Sequence, residues 1–482
     1  MNYLKNILFV SAFLFVFVSN SFALDFFDGQ LHEVKGRVQQ TMNIRTHQDF
    51  RDIKINSFRT MLRLEGLLDI TKQPNYNIGL YGLFNFWSDS ATSIDGGLKR
   101  AIRREADGSR GLHSFRWANE EQEIIKEFYL DTKIGSWFNV RLGKQLVSWG
   151  ETAETRVADL INPLDFSNLT AFPDWEDYKV GLWMGRFFIT PPDMPQDMTF
   201  EFIVIPYIFE EDRYPVGGSG AFIGSAYSPY TNGILHKRRH DKPSPSLSNT
   251  ELGFRIRGLT LGADWALSVF NTRADTPLVR GIRGLQSQTL WIGGGRNEGD
   301  IFEYPFYTSY AATFARPIDA IKSTLRGEFV LNADRPYNYG SYKREDKDLF
   351  TSAITLDTNN FVPIISPLIR NRAIASSVSW IHYKLKDFKY NKRTGEYIKW
   401  DSGTRDSSWD KITLTLSTGI YYDTILPAFS FVYDFNGTTT YLYKLTVAPG
   451  DHWRYEVIFQ KANEQGVKEF SDQVVLSLRY EF

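Results

Sequence analysis

The chain has 482 residues, 42% hydrophobic and 15% aromatic, with 36 Gly, 19 Pro and no Cys. Its 55 Lys+Arg against 56 Asp+Glu leave it nearly neutral, so nothing in the charge balance argues for nucleic acid. Without thiols, a disulfide scaffold, c-type haem attachment and cysteine-ligated zinc or iron–sulfur centres are excluded, and no Pro/Ser-rich linker divides the chain into separate domains.

Lys5 precedes an apolar run from Ile7 to Val18, and Ser21-Phe22-Ala23 then offers small residues where a signal peptidase reads. Residues 1–23 are expected to be a signal peptide, and 24–482 a single exported body. No second apolar stretch of that length follows, which excludes an inner-membrane helical bundle.

From Glu33 onward the chain alternates with a period of two. Leu62, Leu64, Gly66 and Leu68 share one strand face, with Arg63 and Glu65 on the other. Phe128 and Leu130 alternate with Glu127, Tyr129 and Asp131; Leu252, Phe254 and Ile256 alternate with Glu251, Arg255 and Arg257. Leu325, Gly327 and Phe329 alternate with Arg326 and Glu328, and Phe429, Phe431, Tyr433 and Phe435 with Ser430, Val432 and Asp434. At the end Val474, Leu476, Leu478, Tyr480 and Phe482 form an apolar face against Gln473, Val475, Ser477, Arg479 and Glu481. A wall that is apolar on one side and ionisable on the other suits lipid outside and water inside. A terminal aromatic on that last strand resembles the signal that outer-membrane insertion machinery reads in bacterial barrels.

Connections alternate in length. Ala91–Glu123, Gly150–Tyr178, Glu210–Asn249, Ala274–Asp300 and Lys386–Ser408 are long, whereas Thr71–Asn75, Gly135–Trp137, Pro191–Asp197, Leu259–Gly262, Asp423–Leu426 and Ala448–Asp451 are short. Long outer loops and short periplasmic turns are the habit of outer-membrane barrels. The expected fold is therefore all-β, a transmembrane antiparallel β-barrel of about 18 strands, with about 16 as the alternative and both termini in the periplasm. Thr358–Arg372, with Val362-Pro363-Ile364-Ile365-Ser366-Pro367-Leu368, breaks the pattern as a short plug or a folded turn. An energy-coupled transporter would need a larger barrel and an N-terminal plug, for which the chain leaves no room.

The lumen candidates are mixed in sign: Arg37, Arg63, Glu65, Glu127, Asp131, Arg141, Glu201, Arg255, Arg257, Arg326, Glu328, Arg454 and Glu456. As a set they imply a polar, hydrated interior; singly, each is as well explained by cross-strand pairing. The connection Gly150–Tyr178 carries Glu151, Glu154, Arg156, Asp159 and Asp165, with Pro163 and Pro173 limiting its freedom. It is either a constriction folded into the lumen or a surface loop with a turn at Asn162-Pro163.

Two segments here, Gly143-Lys144-Gln145-Leu146-Val147-Ser148-Trp149-Gly150-Glu151-Thr152 and Ile161-Asn162-Pro163-Leu164-Asp165-Phe166, carry a resemblance. The chain resembles a large proteobacterial outer-membrane, porin-like family of unknown function found beside resistance-nodulation-division transporters. The resemblance implies movement of hydrophobic or lipid-like compounds across the outer membrane, with a periplasmic or inner-membrane transport partner. It supplies no functional residues.

Enzymatic signals are weak, and no enzyme is expected. Gly217-Gly218-Ser219-Gly220 lacks the spacing of a nucleophile elbow, and Ser379 and His382 fall on opposite faces of a strand. His236-Lys237-Arg238-Arg239-His240 sits in an outer loop, where a basic run meets lipopolysaccharide phosphates or simply water; as a metal site it is weakened by Pro243 and Pro245. No cofactor or metal is expected. The reading is an outer-membrane channel for a small or lipid-like solute, passive or partner-assisted. The alternatives are a non-conducting scaffold or adhesin acting through its outer loops, and a barrel that sheathes another protein.

Overall fold

The computed structural model describes residues 31–46, 53–90, 116–117, 124–152, 156–165, 175–192, 194, 197–206, 209–212, 239–276, 278–281, 300–339, 343–363, 366–369, 372–399, 406–435, 437–463 and 472–482. The expected signal peptide, Glu154, Ile364, Ile365, the glycine string at 217–220 and residues 236–238 lie outside them.

Eighteen strands follow one another around a ring. They are β1 (Leu31–Thr46), β2 (Ile53–Gln73), β3 (Tyr76–Asp89), β4 (Ile125–Ile134), β5 (Phe138–Gln145) and β6 (Leu182–Ile189). Next come β7 (Thr199–Ile205), β8 (Glu251–Thr260), β9 (Ala263–Arg273), β10 (Phe306–Ile318), β11 (Ser323–Tyr339) and β12 (Lys343–Asn360). The ring is completed by β13 (Ile374–Leu385), β14 (Ser408–Ser417), β15 (Ile425–Asp434), β16 (Thr438–Val447), β17 (Trp453–Asn463) and β18 (Asp472–Glu481). Each pairs antiparallel with the next, and β18 returns to β1 with Arg37 opposite Glu481 and Thr46 opposite Asp472. The sheet is closed, with 18 strands rather than 16. Closure leaves no free edge on the ring.

The expected alternation sets the wall. On β12 and β13, Thr351, Ala353, Thr355, Ser379 and Ile381 turn inward and are buried, while Phe350, Val378 and Trp380 stand exposed on the outside. On β3, Leu83, Asn85 and Trp87 turn in and Phe86 out. A water-soluble barrel would reverse this polarity, so exposed aromatics and leucines around the outside fit a wall surrounded by lipid. No helix among the described residues is long and apolar enough to cross a membrane.

Connections at the end that carries both chain termini are short, as at 135–137 and at 261–262, where Leu261 and Gly262 both take positive φ in a two-residue hairpin. Among the described residues of the connection at 361–373, a folded turn forms. Ser366 N donates to Val362 O at 2.8 Å, and Val362 N to Ser366 Oγ at 2.8 Å. The opposite end carries the long connections, with two departures from strict alternation. At 340–342 the link is short because β11 and β12, 17 and 18 residues long, extend past the ends of their neighbours. At 435–437 a tight turn at Gly437, φ 102°, suffices.

Two close approaches need glycine. Gly36 exchanges backbone bonds of 2.8 and 2.9 Å with Phe482, whose ring would sit 2.2 Å from a Cβ at that position. Gly143, at φ +139°, places its Cα against β4, where a Cβ would lie 2.2 Å from Phe128 O. Gly143→Ala should therefore lose about 1–3 kcal/mol to backbone strain and a similar amount, about 1–3 kcal/mol, to overpacking. The expected outcome is a marked fall in the heat-modifiable, folded fraction on refolding, read by gel mobility. A normal folded fraction would contradict the close approach.

Candidate functional site

The connection between β5 and β6 folds into the barrel. It leaves β5 at Gln145, and its root is knotted to its return by buried side chains. Asn162, fully buried, accepts from Val147 N at 2.7 Å and donates to Gln145 O at 3.0 Å and Val180 O at 2.9 Å. Lys179, also fully buried, donates to Val147 O at 2.7 Å and pairs with Asp159 at 2.5 Å. Pro163–Asp165 runs antiparallel to Tyr178–Val180, through Val180 N to Pro163 O at 2.9 Å and Asp165 N to Tyr178 O at 2.7 Å. Glu127 accepts Leu146 N at 2.9 Å, and Lys126 reaches Lys179 O at 2.9 Å. Arg156 turns back onto Asp159 O at 2.5 Å and onto Asn162 O, and faces Asp275 at 3.7 Å.

Beneath this knot Val147, Trp149 and Ile161 pack on Leu182, Met184, Ile203, Ile205 and Phe270 of β6, β7 and β9. Gly253 leaves room for Trp149, whose indole would touch a Cβ there at 2.9 Å and whose Nε1 donates to Glu201 at 3.2 Å. Each large side chain so covered contributes roughly 1.5–3 kcal/mol.

From the root the segment reaches opposite walls. On one side, the single-turn helix α1 (Trp175–Tyr178) brings Asp177 to Arg37 of β1 at 2.8 Å and to Arg63 of β2, with Asn85 of β3 at 3.5 Å. On the other, Glu328 of β11 accepts Glu151 N and Thr152 N at 2.6 Å, Thr152 Oγ1 at 2.7 Å and Ala158 N at 2.7 Å. Glu151 lies 3.5 Å from Arg255 of β8 and 3.8 Å from Arg326 of β11. Val157 and Ala158 pack on inward Val330, Ala353 and Ile381 of β11, β12 and β13. Strands β2 and β11 are nine places apart in a ring of 18, so the segment spans the barrel.

The sequence candidates fall into three groups. Arg37, Arg63, Glu127, Glu201, Arg255, Arg326 and Glu328 all meet the segment, as do its own Glu151, Arg156, Asp159 and Asp165. Others pair along the wall: Asp131 with Arg141 at 3.2 Å, Glu65 with the Tyr81 hydroxyl at 2.9 Å, and Glu456 with Lys444 at 2.9 Å and Arg479 at 3.5 Å. Arg454 binds Gly450 O at 2.6 Å and stands 3.9 Å from Glu481. Arg257 shares the Arg255 face and is exposed. The residues missed were Asn162, Asp177, Lys179 and Lys126. Asn162 was visible only as the residue before Pro163, and nothing local marked the other three.

Burial pushes Lys179 down to about 8 against the partial support of Asp159, and pushes Tyr178 up to about 12. A docked segment thus releases the Lys179 proton at about pH 8, whereas a released one would keep it up to 10.5. Docking is insensitive to this group below pH 8 and strengthens as pH rises through that window, until Tyr178 reverses the trend above its ordinary value of 10.0. Current noise from segment opening is expected to fall between about pH 8 and 10. Noise that grows over that interval would contradict the assignment.

A closed antiparallel barrel with an apolar outside, a polar inside and a long connection folded across it defines a porin-like barrel. Residues 35–482 match the family described as "Protein of unknown function (DUF1302)", and the chain belongs to that family. Its fold is similar to that of a BenF-like porin from Pseudomonas fluorescens Pf-5, with a TM-score of 0.51 at 8% identity, covering 94% of this chain and 100% of that one. OccAB3 of Acinetobacter baumannii gives 0.50 at 9%, covering 93% and 98%, and the outer-membrane protein opdK of Pseudomonas aeruginosa gives 0.50 at 9%, covering 94% and 100%. At such identities the likeness is one of fold. No curated protein matches the sequence.

Proposed function

We propose that this protein is an outer-membrane channel of a Gram-negative bacterium whose constriction is the segment 150–178. The observation that carries the reading is the span from Asp177 on β1 and β2 to Glu328 on β11. A connection held at one wall by the Asp177 ion pairs and at the other by hydrogen bonds to buried Glu328 narrows a lumen, where a scaffold acting through outer loops would have no use for it. The passage runs along β14 to β18, whose inner faces carry Thr413, Ser430, Thr440, Gln460 and Ser477, together with Lys444, Glu456 and Arg479. Hydroxyls and paired charges suit a small solute that keeps part of its hydration. Any driving partner would be periplasmic or inner-membrane, and the last strand, ending at Phe482, is the proposed contact for the insertion machinery.

Planar-bilayer conductance of the intact protein beside a variant lacking 154–174 tests this. Stable openings that enlarge on removal of the segment support it. Silence in the intact protein with openings in the variant would mean a closed barrel awaiting a partner, and silence in both would overturn the channel reading.

A further inference from the structure

Strand register brings together three residues that the sequence keeps far apart. Ser352 of β12 lies directly opposite His382 of β13, and His382 directly opposite Asp410 of β14. All three lie on the outward face. Their neighbours in the same phase, Phe350, Val378 and Trp380, are exposed, and the opposite phase holds buried Thr351, Ala353, Ser379 and Ile381; Ser352 itself is 9% exposed, between Phe329 of β11 and His382. His382 Nδ1 is 2.9 Å from Asp410 Oδ1, and Trp380 Nε1 donates to the same oxygen at 3.0 Å. The row sits near the end of the barrel away from the termini, three residues from the end of β13 and two into β14. An ionisable pair on a lipid-facing wall is costly and rare unless it does something.

We propose that Ser352, His382 and Asp410 form a serine hydrolase triad that acts on ester-linked acyl lipid of the outer leaflet. Asp410 fixes His382 with Nδ1 protonated, which leaves Nε2 as the base. Directly opposed residues on adjacent strands have Cβ atoms about 4.5–5.5 Å apart, within side-chain reach, and the Ser352–His382 hydrogen bond, not made in the substrate-free chain, forms when substrate binds. The Ser352 oxygen attacks the ester carbonyl carbon as its proton passes to Nε2. The alcohol leaves with that proton, and water, deprotonated by His382, releases the fatty acid and restores the serine, so that ester and water give acid and alcohol. Exposed Phe329, Phe350 and Trp380 flank the row and receive acyl chains. The proposal departs from the expectation of no enzyme because the pairing of Ser352 with His382 exists only in the register.

The test uses the folded full chain in mixed micelles of detergent and phosphatidylcholine, with a fluorophosphonate probe and fatty-acid release as separate readouts. The expected result is a phosphonylated Ser352 peptide and lipid hydrolysis that fall by about 10²-fold or more in Ser352→Ala and His382→Ala, while Ser379→Ala on the inner face keeps both. Gel heat-modifiability verifies that each variant is folded. Failure to label Ser352 in folded protein, or hydrolysis that survives Ser352→Ala, overturns the proposal. The proposal rests on the barrel lying in the outer membrane but not on conduction, so a silent bilayer recording leaves this result independent.

Discussion

Glu328→Ala will give severalfold larger single-channel openings, with the barrel still folded. The Glu328 carboxylate, fully buried, gathers four donors from three points of the segment: Glu151 N, Thr152 N with its hydroxyl, and Ala158 N. A hydrogen bond to a charged acceptor is worth about 1.5–3 kcal/mol. The four share one group and do not add, so a loss of about 3–5 kcal/mol, as for breaking a buried charged pair, is the better guide. With each 1.4 kcal/mol worth about tenfold in population, that is enough to shift the far end of the segment from docked to released. Gly150 contributes to this fit, since a Cβ there would press on Glu328 Oε1 at 3.1 Å. Glu328→Gln keeps the shape and loses the charge, and so should fall between the wild type and Glu328→Ala. The wall strands would be unaffected, because Glu328 pairs with Thr313 and Ala353 through its backbone. Conductance unchanged in Glu328→Ala would mean that the apolar contacts of Val157 and Ala158 hold the segment unaided.

Asp177→Ala will release the opposite end, with a second and distinct current signature. One carboxylate bonds Arg37 and Arg63, whose side chains are only 10% and 9% exposed, and it accepts from Asn85 as well. Its own side chain is 30% exposed, so the expected loss is discounted to about 1–3 kcal/mol. Loss of that carboxylate takes one negative charge from beside two guanidinium groups, so the anion preference of the current should rise along with its size. Glu328→Ala enlarges openings with less of that change, since Arg326 keeps Asp357 of β12 at 2.6 Å and Arg255 lies opposite Glu201 of β7 when Glu151 withdraws. Equal ion selectivity in Asp177→Ala and wild type, measured by reversal potential in a salt gradient, would show that Asp177 does not hold the arginines as described.

The wall was legible because its signal is local. A period of two, repeated from Leu62 to Phe482, states the face of each strand, and the connection lengths state which end each hairpin occupies. Gly150–Tyr178 was also legible as a candidate, from its charges and prolines, although sequence left its direction open. The decisive residues lay outside local patterns. Asn162 reads as a turn former before Pro163, yet its amide ties Gln145 and Val147 to Val180. Lys179 and Lys126 read as ordinary solvated lysines, whereas both are buried. Asp177 pairs with arginines more than a hundred positions away, a juxtaposition that only closure of β1 and β2 beside the helix creates. The same holds for the row Ser352, His382 and Asp410, which depends on which residue of β12 faces which of β13. Gly143–Thr152 supplies one side of the knot and the anchor on Glu328, and Ile161–Asp165 the other side of the knot, which gives their joint presence a physical reason.

The span of the segment across the barrel is tested most directly by chemical cross-linking, for which a chain without cysteine gives no background. Ala158→Cys paired with Val330→Cys joins two members of one buried cluster and leaves the Asp177 and Glu328 side chains in place. A short bifunctional thiol reagent should link this pair in membrane-inserted protein as efficiently as Val330→Cys with Thr351→Cys, which are neighbours on adjacent wall strands. If the wall pair links while the Ala158 and Val330 pair does not, the segment does not lie against β11, and the constriction described here is absent.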